Sequence, residues 1–376
     1  MKRVFAVFLC FTMVFSCVYA KEIEDIVSES YILMDGKTGN VLLEKNADQP
    51  LPPASITKIM VMLLAMEAID EGRISVDDLV TVSETAALHE GSHVFLDVGE
   101  KISVHDLLKA IAVASGNDAA IAMGEYLCGT QDKFVVQMNK RAKELNMNNT
   151  SFVNANGLDA ENHVSSARDI AIMTHELLKH PKIHEYTTIW MDTLRNGTFQ
   201  LSNTNKLIRF YEGATGMKTG STSKAGFCIS ATATRNGVDL IAVTMNAKTS
   251  KERFADASSL LNYGFSNYSM VKLSDKNQIY ASLQVKNGIE KEIPVITTKL
   301  NTYLVDNSLK SSVEHRIILP EYVEAPVEEN QKIGEIVYFI NDKEIAKIPL
   351  QAQFSIAKIS YGYLIKNLFS SFIKSI

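Results

Sequence analysis

Pro52-Pro53-Ala54-Ser55-Ile56-Thr57-Lys58-Ile59-Met60 opens an apolar-periodic segment that continues to about Gly72. Prolines ahead of a serine mark a helix start. Ser55 and Lys58 then stand three residues apart on one helix. Such positions share a face, with Cβ atoms roughly 5–6 Å apart. A serine at a helix N-terminus feels the positive end of the backbone dipole, which favours alkoxide character and a nearby oxyanion. A lysine takes the serine proton only while it is neutral, and burial beside another cation drives it toward that state. Ser55 and Lys58 are therefore a candidate nucleophile and base.

The spacing carries no weight alone. Ser-x-x-Lys occurs five times, at Ser55, Ser221, Ser269, Ser355 and Ser371, and Lys-Thr-Gly twice, at Lys37 and Lys218. Context separates them. Lys37 falls in a polar stretch between the apolar runs 31–34 and 41–43, which reads as a hairpin turn with a solvated lysine. Lys218-Thr219-Gly220 follows Gly213 and Gly216 and leads into two apolar runs, 227–234 and 238–245, joined through Asn236-Gly237. Asn-Gly between apolar runs is the strongest short hairpin signal. That places Lys218 on or beside an edge strand able to hold an extended substrate. A third element, Ser115-Gly116-Asn117, is the single Ser-x-Asn of the chain. Standing alone it reads as a helix–helix turn capped by Ser and Asn.

Further helical periodicity covers 105–114, 119–127, 133–145, 167–178 and 253–263. From about 270 to 352 the texture changes to short alternating runs with four of the eight prolines and a turn at Asn341-Asp342, which predicts a small all-β domain. Residues 361–376 are amphipathic at 100° per residue. Leu364, Ile365, Leu368, Phe369, Phe372, Ile373 and Ile376 lie opposite Lys366, Asn367, Ser370, Ser371 and Lys374. This suits a helix lying in a membrane interface, against the alternative of a helix packed on its own domain, and it is too polar on one side to span a bilayer.

The first twenty residues have the three-part plan of a secretory signal: Lys2 and Arg3, an uncharged run from 4 to 18, and Val18-Tyr19-Ala20 before Lys21. About 15 apolar residues is short for a membrane span. Cys10 and Cys17 fall in that segment, which leaves Cys128 and Cys228 in the mature chain, each in an apolar stretch, with a single disulfide between them open. The 376 residues are 46% hydrophobic and 22% charged, a globular composition whose length suits two domains. A net charge of -5 carries no basic footprint for nucleic acid.

Serine-x-x-lysine, serine-x-asparagine and lysine-threonine-glycine, in that order, form the set used by penicillin-binding proteins and β-lactamases. The chain resembles the low-molecular-mass penicillin-binding proteins that are serine-type D-alanyl-D-alanine carboxypeptidases (peptidase family S11). The likeness extends through residues 53–60, 115–120, Asn156-Gly157-Leu158-Asp159 and Gly216-Met217-Lys218-Thr219-Gly220, and on to the β domain and terminal helix. It implies an α/β (α+β) penicillin-binding, serine β-lactamase-like transpeptidase domain, then a small β-sandwich-like domain and a C-terminal amphipathic helix. The corresponding ranges are a signal peptide at 1–20, the catalytic domain at 21–268, the β domain at 269–353 and a membrane-anchoring helix at 354–376.

By the same resemblance, Ser55 would form the acyl-enzyme with Lys58 as its base. Ser115 would relay a proton to the departing D-alanine, and Asn117 would hold the substrate amide. Lys218 and Thr219 would bind substrate, and the Lys218 charge would help keep Lys58 neutral. The backbone N–H groups of Ser55 and Ser221 would form the oxyanion hole, and Arg253 would meet the terminal carboxylate. No metal or organic cofactor is implied. The expected partners are peptidoglycan stem peptides, β-lactams as acylating inhibitors, and a membrane surface on the outer face of the bacterial cytoplasmic membrane. Gly116 stands where the set has aspartate, the carboxypeptidase-like form. The Glu-x-x-Leu-Asn segment that class A β-lactamases use to activate deacylating water is missing, so efficient β-lactam hydrolysis is not expected.

Two rivals compete. His89-Glu90-Gly91-Ser92-His93 matches the zinc-peptidase pattern His-Glu-x-x-His, which requires both histidines on one face of a stable helix. Gly91 and Ser92 speak against that helix and for a loop at the rim of the site. The other rival is a non-catalytic wall-binding module on an inactive enzyme fold, which the presence of the whole catalytic set opposes.

Overall fold

The computed structural model describes residues 26–374. The expected signal segment at 1–20 and the terminal Ile376 lie outside them.

Ser30–Asp35 (β1) and Val41–Lys45 (β2) pair antiparallel as the predicted hairpin. Their polar turn closes on Asp35, whose carboxylate accepts from Lys37 N at 3.1 Å and Thr38 Oγ1 at 2.6 Å. Ala214–Thr222 (β3), Gly226–Arg235 (β4) and Val238–Ala247 (β5) form two successive hairpins. Asn236 and Gly237 carry φ of 50° and 78°, the two positive values that a two-residue type I′ turn demands. β1 pairs with β5, which yields one antiparallel sheet in the order β2-β1-β5-β4-β3. β3 is an edge strand and carries Lys218, which the sequence placed on or beside such a strand.

Alternation along β1 splits the core in two. Ile32 and Met34 point into one hydrophobic cluster and Leu33 into another on the opposite face. The first face meets Lys58–Asp70 (α1), Val104–Lys109 (α2), Asn117–Cys128 (α3), Gln131–Glu144 (α4) and Ala167–Leu178 (α5). The second meets Ser250–Asn267 (α6), which begins in a capping box of Thr249 and Glu252.

α1 is buried on every side from Lys58 to Met66. Each fully buried Leu, Ile or Met there contributes about 1.5–3 kcal/mol, so packing rather than propensity holds the helix. Its entrance is a 3₁₀ turn, Ala54–Thr57, with no side-chain cap. α2 passes into a wide π turn over Ala110–Ala114, which ends at Ser115 in the left-handed conformation with φ 61°. Such turns mark functional positions more often than ordinary helix.

Tyr268–Ser274 pairs with Asn301–Asp306, and six further strands build a second sheet whose cores centre on Ile336 and Leu350 and on Val285 and Ile293. Asn341 and Asp342, at φ 50° and 61°, turn the long hairpin of this sheet. The expected all-β domain is thus present. A final helix, Tyr361–Lys374 (α7), follows it. Among the described residues no helix is long and apolar enough to cross a membrane. Cys128 and Cys228 are both free thiols. Burial pushes the Cys228 thiol up to about 11.

Candidate active site

Three chain segments meet at the start of α1. The 3₁₀ turn carries Ser55, the π turn ends in Ser115 just before Asn117 opens α3, and β3 runs alongside with Lys218 and Thr219. The Lys58 side chain is fully buried among them. Its Nζ lies 2.9 Å from Ser55 Oγ, 2.7 Å from Asn117 Oδ1, 2.9 Å from the Asn156 carbonyl oxygen and 3.5 Å from Ser115 Oγ. Ser55, Lys58, Ser115 and Asn117 are thus joined by direct polar contacts.

Burial holds the Lys58 ammonium well below its ordinary range, the nearby Lys218 charge lowers it further, and the Asp118 carboxylate opposes both. A position at the first turn of α1 adds the positive end of the helix dipole, which also disfavours a cation. A neutral amine has two N–H groups and one lone pair. Asn117 Oδ1 and the Asn156 carbonyl can only accept, so they take the two N–H groups and leave the lone pair to Ser55. The surroundings therefore suit the neutral base.

Lys218 is buried at 1% exposure, in contrast with Lys37 of the other Lys-Thr-Gly, whose side chain is 48% exposed and bonds the Gly237 carbonyl at 2.7 Å. Burial first, then the Arg253 charge, bring the Lys218 ammonium down to about 7. Lys218 Nζ donates to the Thr219 carbonyl at 2.8 Å, and Thr219 Oγ1 to Thr204 Oγ1 at 2.8 Å. β3 lies against the serine: a Cβ added to Gly220 would stand 2.9 Å from Ser55 N. Ser221 follows on the same strand, exposed.

Arg253 stands apart from this group. Its guanidinium is buried behind the sheet, with Nη1 donating to the Gly220 carbonyl at 3.1 Å and the Cys228 carbonyl at 3.3 Å, Nη2 to Ser250 Oγ at 3.1 Å, and the ring of Phe254 beneath it at 4.6 Å. Burial lowers it to about 10. In this arrangement it braces β3 from behind.

Four supporting residues escaped the motif reading. The Asn156 carbonyl reaches both Lys58 and Ser55 Oγ, the latter at 3.5 Å. Gly157, at φ 87°, lies so close that a Cβ would stand 1.9 Å from the Ala54 carbonyl. Asp118 accepts from Val94 N at 3.0 Å and Leu96 N at 3.1 Å and so fastens the loop before α2. His163 bonds Thr57 Oγ1 at 2.9 Å and Val153 N at 2.9 Å, and burial brings it down to about 4. Asp118 and the Asn156-Gly157 segment carried a signal as parts of the family likeness, and His163 carried none.

His89-Glu90-Gly91-Ser92-His93 is a loop at the rim of the site. The His93 ring turns back to the His89 carbonyl, and His89 takes a hydrogen bond from the Asn156 amide. The literal zinc-peptidase spacing therefore does not put two imidazoles on one helical face.

A serine beside a buried amine, in a sheet-and-helix frame with a lysine-bearing edge strand, defines the penicillin-binding, transpeptidase-like class of α/β domains. A family model described as D-alanyl-D-alanine carboxypeptidase matches residues 17–249, and one described as penicillin-binding protein 5, C-terminal domain, matches 268–358. The chain is 41% identical over 351 residues to D-alanyl-D-alanine carboxypeptidase DacF of Bacillus subtilis, across 92% of this chain and 90% of that one. The crystal structure of penicillin binding protein 5 from Haemophilus influenzae superposes with a TM-score of 0.74 at 32% identity, covering 89% of this chain and 98% of its own. Penicillin-binding protein D2 from Listeria monocytogenes, in its cefotaxime-bound form, superposes at 0.58 with 33% identity over 63% of this chain and 97% of that one. The chain belongs to the peptidase S11 family of D-alanyl-D-alanine carboxypeptidases.

Proposed function

We propose that Ser55 is the nucleophile with which this carboxypeptidase removes the terminal D-alanine from peptidoglycan stem pentapeptides. The observation that carries the reading is the buried Lys58 amine, 2.9 Å from Ser55 Oγ and otherwise facing acceptors. Ser55 Oγ attacks the carbonyl carbon of the penultimate D-alanine while its proton passes to Lys58 Nζ. The backbone N–H groups of Ser55 and Ser221 receive the oxyanion. The C–N bond then breaks, and the proton travels through Ser115 to the nitrogen of the departing D-alanine. Water cleaves the ester, releases the shortened peptide and returns Ser55 to its hydroxyl form. Asn117 holds the substrate amide, and Lys218 and Thr219 bind from β3. Arg253 contributes by holding β3 and by its positive charge toward the substrate carboxylate.

β-Lactams acylate the same serine, a reading supported by the cefotaxime-bound D2 relative. The chain acts at the outer face of the cytoplasmic membrane in cell-wall biogenesis and cell shape. Residues 1–20 form its signal peptide, 21–268 its catalytic domain, 269–353 a β domain that holds the site toward the wall, and 354–376 an amphipathic membrane anchor. Leu364 and Ile365 support the anchor, being 47% and 55% exposed on a terminal helix. The decisive experiment is mass spectrometry of the products from a pentapeptide, with Ser55→Ala in parallel. Loss of one alanine by the wild type alone is expected. Crosslinked products would favour a transpeptidase, and penicillin labelling of Ser55→Ala would overturn the assignment of the nucleophile.

A further inference from the structure

Fifteen described residues other than glycine have positive φ, and eleven of them are Asn or Asp, which tolerate the left-handed region. The other four are Ala54, Phe95, Ser115 and Arg195. Ala54 precedes Ser55, and Ser115 belongs to the site itself. Phe95 and Arg195 form a second strained pair, joined by a bond from Arg195 Nη2 to the Phe95 carbonyl at 2.6 Å. Strained backbone persists where surrounding structure over-determines it, and it gathers at functional sites.

The surroundings of Phe95 do over-determine it. Asp118, fully buried and adjacent to Asn117, accepts from the amides on both sides of Phe95, those of Val94 and Leu96. Arg195 also bonds the Val94 carbonyl at 3.0 Å and is itself fixed by Glu100 at 2.8 Å. This scaffold turns an aromatic ring outward: Phe95 is 70% exposed. Burial gains nothing from that orientation, so the folded chain alone does not explain it.

A chain of contacts links the ring to the site. The Asn156 amide bonds His89, His93 turns to the His89 carbonyl, and the His93 ring lies 5.8 Å from Phe95, with Phe199 a further 6.1 Å along. The same loop meets Asn117 directly: Asn117 Nδ2 donates to the Glu90 carbonyl at 2.5 Å, and Asn117 N to the Ser92 carbonyl at 2.6 Å. Beside the ring runs a groove of about 460 Å³ with Leu88 and Val98 also on its walls, 71% and 60% exposed.

We infer that Phe95 is a specificity-determining residue, its ring receiving the apolar side group that an acyl donor carries beyond the amide held by Asn117. The inference rests on the reading of Asn117 as the amide holder. Two sources share this chemistry: the aromatic side group of a penicillin and the aliphatic side chain of the stem-peptide residue before the D-alanines. Both would lie on the ring by apolar contact.

The test compares the wild type with Phe95→Asn, which removes the ring and keeps a residue suited to positive φ. Acylation rates are measured for benzylpenicillin and for 6-acetamidopenicillanic acid, which keeps the amide and lacks the phenyl ring. Hydrolysis is measured for diacetyl-L-lysyl-D-alanyl-D-alanine and acetyl-glycyl-D-alanyl-D-alanine. The preference for the larger member of each pair should fall about tenfold, with Tm unchanged or higher. An unchanged preference in both pairs overturns the inference, as does a lowered Tm with equal losses on all four ligands. A response in the penicillin pair alone upholds the subsite for inhibitors and overturns it for substrate. Failure of the underlying reading looks different: wild type would then not be acylated at Ser55 by either penicillin.

Discussion

At the scale of single residues, the proposed mechanism needs one lysine uncharged and another charged. As the proposed base, Lys58 would act only after losing its proton, and its burial and Lys218 hold it well below the ordinary range. Acylation should therefore rise with pH as Lys58 neutralises. It should fall again as Lys218, brought down to about 7, loses its own proton. Lys218→Gln removes the opposing charge, so Lys58 keeps its proton to higher pH. The acidic limb of the penicillin-acylation profile should move upward, with neutral-pH acylation down about 10²-fold. A limb that stayed in place would mean that Lys218 does not act on Lys58. Gly157 has an equally local constraint. At φ 87°, with the Ala54 carbonyl 1.9 Å from any added Cβ, Gly157→Ala must push the serine turn away. The expected cost is about 2–3 kcal/mol of stability. Acylation should fall more than tenfold, read by urea unfolding and penicillin labelling.

At the scale of elements, His163 joins the turn at the start of α1 to the Val153 segment by two hydrogen bonds to a buried imidazole. Its folded pKa, about 4, lies below the ordinary 6.5. The unfolded chain therefore binds the extra proton first as pH falls, and stability is lost between about 6.5 and 4. The loss is on the order of 3 kcal/mol. Urea unfolding at pH 7 and pH 4 should show this slope, and His163→Gln should flatten it. An unchanged slope in the variant would assign the acid sensitivity to other groups. Elements were also the scale most legible in the sequence. Both hairpins and the strand run from about 270 stand where periodicity and turn residues placed them, whereas the expected helix start at Ser55 is a 3₁₀ turn and the α-helix begins at Lys58. The passage from α2 into a π turn was not legible, because His105 to Ala114 is apolar enough to read as continuous helix.

At the scale of the whole molecule, the catalytic domain and the β domain keep separate cores and touch through a small seam. Leu304 packs in the cluster of α6, and Asn307 Nδ2 donates to the Ser266 carbonyl at 2.9 Å. Residues 361–366 are exposed, so a chain ending at 360 is expected to keep both cores. The truncated protein should acylate at the wild-type rate and lose its cosedimentation with vesicles containing anionic lipid. Truncated protein that still sediments would remove the terminal helix as the anchor.

The sequence by itself pointed to the carboxypeptidase family and to the order of the proposed carriers, because three short motifs in a fixed order are local signals. It also marked β3 as an edge, because turn residues and apolar runs are local signals. Local context marked Lys37 as a solvated turn lysine, but only the tertiary structure buried Lys218 to 1% exposure, by packing β3 against the start of α1. It alone brought Asn156 and His163 to the serine turn and Asp118 to the loop before α2, because those contacts join residues 22 to 106 positions apart. It alone turned Arg253 behind β3 and Phe95 outward. Burial and long-range hydrogen bonds set those orientations, and neither is written in a residue's immediate neighbours.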